Sequence, residues 1–108
     1  MPRKQERTPV SLKIILEWSA GKREARISDL SMGGCFIDCL TPISAGETVS
    51  FKIKIDEGEF LELYGEIAYV FRGVGFGVRF LSLSENDRSI IEYLILMNNG
   101  NPWGSDEI

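Results

Sequence analysis

The chain has 108 residues, 44% of them apolar and 26% charged, with a net charge of −4 and no histidine. That length supports one domain with its own core and not two. Without imidazole, the commonest general base and the commonest transition-metal ligand are both missing. No nucleophile elbow, P-loop or cysteine–histidine metal spacing takes their place, so an enzyme is not expected.

The charge is unevenly spread. Residues 1–26 hold seven basic and three acidic groups, a net of +4, and the remaining 82 hold five basic and thirteen acidic, a net of −8. Nonspecific attraction to a phosphate backbone follows positive charge, so DNA and RNA are not expected partners, although a small anion could still be held locally. No apolar run is long enough for a membrane span or a secretory signal, which makes membrane insertion unexpected and a cytoplasmic location the default.

In chain order, residues 1–9 are charged, polar and closed by Pro9, and read as a flexible N-terminal loop ahead of a folded domain over 10–99. "VSLKIILEW" alternates with period 2, with Val10, Leu12, Ile14, Leu16 and Trp18 on one face. "SAGK" is a turn, "REARISDL" a second strand and "CFIDCL" a third. Cys35 and Cys39, four apart on one strand, would be roughly 13 Å apart, beyond disulfide reach, and read as reduced core thiols. "TVSFKIKID" alternates most cleanly, "FLELYGEIAYVF" is a long fifth strand, and "FGVRFL" is the sixth. The glycines of "GVGFGV" suit a barrel strand rather than a dinucleotide loop, because Phe76, Val78 and Phe80 continue the alternation and no helix follows. Six short antiparallel strands predict a mainly β fold, a six-stranded barrel. "SENDRSIIEYLILMNNG" is then a C-terminal helix, with Ser84 as N-cap, Asp87 three residues on, and Ile90, Ile91, Leu94, Ile95 and Met97 packing on the barrel. Residues 100–108 read as a tail.

The chemistry gathers at "ISDLSMGGCF", where alternation places Ile27, Asp29 and Ser31 on one face and Ser28 and Leu30 on the other. If Ala20–Gly21 is a two-residue hairpin loop, Trp18 faces Arg23, Leu12 faces Asp29 and Val10 faces Ser31. The segment "RKQER" is thereby delivered to the corner "SDLSMGG". Arg3 and Arg7 carry planar guanidiniums suited to phosphate oxygens or the O6/N7 edge of guanine. Asp29 accepts N–H donors such as guanine N1 and N2, and Ser31 donates or accepts. Gly33 and Gly34 are expected to adopt positive φ and let a ligand approach the backbone. Arg26, in the solvated cluster "KREAR", is placed within reach of Asp29. These residues alone leave two readings open: an anion site, or an Arg7–Asp29 salt bridge at a barrel edge.

The same residues resemble the two-part signature of the PilZ family of bacterial cyclic di-GMP receptors, RxxxR followed by [D/N]xSxxG. "RKQER" matches the first part with Arg3 and Arg7, and "DLSMGG" matches the second with Asp29, Ser31 and Gly34. "AGETVSFKIKI", "GEIAYVF" and "GVGFGVRFLSLSENDRSIIEYL" extend the similarity over roughly residues 3 to 97. The resemblance implies a non-enzymatic receptor of cyclic di-GMP with no cofactor. Arg3 and Arg7 would be phosphate and guanine-edge ligands, Asp29 and Ser31 guanine readers, and Gly34 the backbone allowance, with Lys4 and Gly33 as lesser members. Ligand binding would order residues 1–9 and signal to a protein partner that the sequence does not name. Two rivals remain: a PilZ-fold interaction adaptor that binds no nucleotide, and an OB-like single-stranded nucleic-acid binder. The second needs exposed stacking aromatics, whereas Phe51, Tyr64, Phe76 and Phe80 fall mostly on core-like faces.

Overall fold

The computed structural model describes residues 7–99; Arg3, Lys4, most of the loop read over 1–9, and the tail 100–108 lie outside the described residues. Six strands form a closed antiparallel barrel: β1 (Thr8–Trp18), β2 (Gly21–Leu30), β3 (Gly34–Asp38), β4 (Thr48–Asp56), β5 (Glu59–Phe71) and β6 (Gly75–Leu81), in the order β1-β2-β3-β6-β5-β4. Helix α1 (Glu85–Asn99) follows and packs against β1 and β5. β1 starts at Thr8, inside the segment read as loop, because Thr8 pairs with Leu30 and Pro9 with Asp29.

Strand periodicity builds the core. Ile14 and Leu16 of β1, Val49, Phe51 and Ile53 of β4, and Leu61, Leu63 and Ile67 of β5 all point inward and are buried. Each such side chain removed from water stabilises the fold by about 1.5–3 kcal/mol. Tyr64 does not belong to this set: it is 50% exposed, because it lies between Leu63 and Gly65 on the outward face of β5.

The first hairpin turns one residue earlier than expected. Trp18 pairs with Gly21 and Leu12 with Ile27, so Ser19 and Ala20 form the loop and Gly21 opens β2. The pairings Trp18–Arg23, Leu12–Asp29 and Val10–Ser31 are therefore not made. Two irregularities then change the parity of the strands, one in β1–β2 between Pro9 and Leu12 and one in β2–β3 between Ile27 and Asp29. Their effect is visible in burial: Ile27 and Leu30, an odd separation apart, are both fully buried, while Asp29 between them turns outward.

At the other end of the chain, Ser84 Oγ accepts the Asp87 N–H at 3.0 Å and an Asp87 carboxylate oxygen accepts the Ser84 N–H at 3.0 Å, a reciprocal capping box. Ile91 and Leu94 are buried, and Ile90 and Ile95 partly so. Met97, expected in that stripe, is 62% exposed, since it sits about 90° round the helix from the line through Ile91 and Leu94.

Candidate functional site

The bulge at the end of β2 is what makes a site possible. Uninterrupted alternation would carry Asp29 into the barrel with Ile27; the extra residue rotates its carboxylate onto the outer wall instead. The β1–β2 pairing sets Arg7 beside it, and an Arg7 guanidinium nitrogen lies 3.6 Å from Asp29 Oδ2. Arg7 also donates to the Tyr69 hydroxyl, at 3.0 and 3.4 Å from its two terminal nitrogens. The other carboxylate oxygen, Asp29 Oδ1, is buried and finds no hydrogen-bond partner among the described residues. A buried charged acceptor without a donor is costly, so the carboxylate is held ready for N–H groups that the described residues do not supply.

The turn after Asp29 is tied down from within. Ser31 N–H donates to the Gly34 carbonyl at 2.8 Å, and Ser31 Oγ accepts from the Gly33 and Gly34 N–H groups and donates to the Gly34 carbonyl, each at 3.2 Å. One donor and two acceptor positions exhaust the hydroxyl. The Gly33 carbonyl accepts the Phe80 N–H at 2.9 Å, fastening the turn to β6. Neither Gly33 nor Gly34 has positive φ, contrary to expectation. Gly34 is required for a different reason: a Cβ there would lie 2.1 Å from the Val78 carbonyl oxygen, because β3 and β6 are in close contact at that point.

β5 and β6 supply residues that sequence reasoning missed. Tyr69 lies across from Gly77, and a Cβ on Gly77 would enter its ring at 2.4 Å. A register shift between Ile67 and Tyr69 turns this tyrosine outward, just as the shift in β2 turns Asp29. Its ring packs with Phe36 (centroids 6.1 Å apart) and Phe71 (5.6 Å), and Phe36 also packs with Phe71. Arg79, opposite Gly34 on one side and Glu66 on the other, is ion-paired to Glu66. Arg7, Ser31, Gly33, Gly34, Tyr69 and Arg79 surround a cavity of about 230 Å³. The exposed aromatic after the buried Ile67 was the one available signal for Tyr69; nothing local marks Arg79.

Arg26 does not orient Asp29. Its guanidinium lies 3.7 Å from Asp38 Oδ2, its partner across β2–β3. Cys35, behind the site, has its thiol pKa pushed far up, first by burial and then by the Asp29 carboxylate, with Arg7 opposing. It is a free core thiol, and Cys39 is free and partly exposed. A larger hollow of about 380 Å³ between Cys39–Ser44 and Val70–Phe76 contains none of the signature residues.

Comparison with known proteins identifies the family and the fold. The PilZ domain profile matches residues 2–96, and the chain belongs to that family. Among solved structures, the PilZ domain of YcgR from Escherichia coli, determined with c-di-GMP, superposes with a TM-score of 0.77 at 13% identity, covering 95% of each chain. The PilZ domain of CeSA from a cellulose-synthesizing bacterium gives 0.65 at 21% identity over 85% of this chain and 96% of that one. The Borreliella burgdorferi PlzA protein in complex with c-di-GMP gives 0.67 at 18% identity over 87% of this chain and 41% of that one. At these identities the likeness is one of fold. No curated protein sequence matches the chain significantly.

Proposed function

We propose that this chain is a cyclic di-GMP receptor whose ligand is read by the corner formed by Arg7, Asp29 and the Ser31–Gly34 turn. The observation that carries the reading is Asp29 Oδ1, a buried acceptor without a donor among the described residues, beside a guanidinium. Guanine presents N1–H and N2–H side by side to such a carboxylate, and the phosphodiesters present anionic oxygens to arginine. Arg7 leaves its contacts with Tyr69 and Asp29 for a phosphate or the O6/N7 edge of guanine, and Arg3 adds the second guanidinium from four residues upstream. Lys4 adds charge without fixing geometry. Gly33 and Gly34 keep the backbone low beside the ligand, Ser31 holds the turn that aims Asp29, and Tyr69 offers a ring face for stacking. A cavity of about 230 Å³ is a footing for part of a cyclic dinucleotide, so the segment ahead of Thr8 completes the site and becomes ordered on binding. The changed surface then acts on a protein partner, with no chemical step in the chain itself. Family membership and the c-di-GMP held by YcgR and PlzA support this reading.

Calorimetric titration with cyclic di-GMP tests it. Saturable binding at micromolar affinity or tighter is expected for the wild type, with a loss of about a hundredfold or more in Arg7→Ala and Asp29→Ala. No heat from the folded wild-type protein would overturn the proposal and favour an adaptor that binds no nucleotide.

A further inference from the structure

The barrel wall formed by β2, β1 and β4, away from the Tyr69–Arg79 cavity, carries a concentration of positive charge that the acidic chain as a whole does not predict. β1 and β4 pair only from Ile14–Ile53 to Glu17–Ser50, although β1 runs back to Thr8 and β4 forward to Asp56. Where the two strands part, a cavity of about 480 Å³ opens, with four basic side chains (Lys13, Arg26, Lys52 and Lys54) and one acidic one (Glu24) around it and Ile15 and Phe60 contributing apolar surface. Lys13 and Arg26 are direct cross-strand partners. Like charges in that position are destabilising, so the fold alone gives no reason to place them together. Lys13, Lys52 and Lys54 form no ion pair among the described residues, and Arg26 is engaged only with Asp38. Phe60, opposite Lys54 on β5, is 52% exposed beside them.

We propose that this notch is a docking surface for an acidic protein segment that carries an apolar or aromatic anchor. The lysines are point charges on flexible stems that can each meet one carboxylate, and Phe60 and Ile15 cover an anchoring side chain between them. Charge complementarity selects a peptide over a nucleic acid. Glu24 lines the notch and Glu62 stands opposite Lys52, so the cations are separate points that match spaced carboxylates rather than a continuous track for a phosphate backbone. The notch is separate from the corner at Asp29, and the inference does not depend on what that corner binds.

The test is a display selection of random dodecapeptides on the immobilised full chain, followed by binding of the enriched peptides in solution. Peptides with two or more Asp or Glu and an aromatic or leucine are expected. Their affinity should fall about tenfold in Lys52→Glu and in Phe60→Ala, fall with rising salt, and stay unchanged in Arg7→Ala. Lys52 and Phe60 are both exposed, so the variants keep the fold, as circular dichroism will verify. An enriched set without acidic bias, or one that binds Lys52→Glu as well as the wild type, would overturn the proposal. Tighter binding of a mixed-sequence oligonucleotide or of phosphatidylserine vesicles through the same lysines would overturn the peptide assignment.

Discussion

The β4–β5 hairpin and the β2–β3 corner are built from similar residues and follow opposite rules. From Thr48–Glu66 to Lys54–Phe60 the hairpin pairs without interruption, and burial along β4 alternates as the side chains do. At the corner, the register slips between Ile27 and Asp29, one turn hydroxyl makes three hydrogen bonds, and a carboxylate oxygen is left buried without a donor among the described residues. The hairpin spends its pattern on stability. The corner breaks the pattern, and the break turns the Asp29 carboxylate away from the barrel core and towards Arg7.

This contrast can be broken most severely at Gly34. Gly34→Ala is expected to destabilise the protein by about 3 kcal/mol in chemical denaturation, because the new methyl meets the Val78 carbonyl oxygen, backbone that cannot rotate away. At Gly58, in the β4–β5 turn, a Cβ meets nothing within 4 Å, and only its φ of 77° opposes substitution. Gly58→Ala should therefore lose about 1 kcal/mol in the same measurement. Equal losses at the two glycines would remove the distinction between a packed corner and an open turn.

Ser31→Ala sharpens the comparison. It frees the Gly33 and Gly34 N–H groups in a part-buried turn, and a loss of about 1–2 kcal/mol is expected. If Ser31 aims Asp29, ligand affinity also falls, while Ser84→Ala, which removes the helix cap, should lose about 1 kcal/mol of stability and leave affinity unchanged.

The smallest effect is alkaline. The Cys35 thiol is raised in the folded state, so the stability it contributes is complete below the ordinary thiol value of about 9 and is lost as pH rises beyond it, when the unfolded chain gains by ionising. Thermal melts between pH 8 and 10 should show a decline that Cys35→Ala, though less stable throughout, does not share. An equal decline in both would place the effect elsewhere.

The regular part of the molecule is legible because side-chain period and burial agree: the bounds of β4 are those of "TVSFKIKID", and six strands and the helix follow in the expected order, with β1 reaching two residues further back, to Thr8. The turn at Ser19–Ala20 was misplaced by one residue because glycine can open a strand as well as close a turn, and Gly21 does the former. The candidate site was legible only in its local members. Asp29, Ser31 and Gly34 share one turn and Arg7 reaches it through a single hairpin, but their roles depend on bulges that alternation does not reveal. Tyr69 and Arg79 arrive from β5 and β6, brought there by barrel closure, and no short stretch of sequence carries that information. Ser31 illustrates the limit: it lies at the corner, but its hydroxyl is used within the turn and is not a free donor.

The most direct test concerns Asp29 Oδ1, which has no partner among the described residues. Proton NMR of cyclic di-GMP bound to the protein reads the guanine N1–H itself. An imino proton shifted downfield and protected from exchange is expected in the wild-type complex, and its loss in Asp29→Ala at saturating ligand. A bound ligand whose imino protons all exchange as fast as in free solution would contradict it.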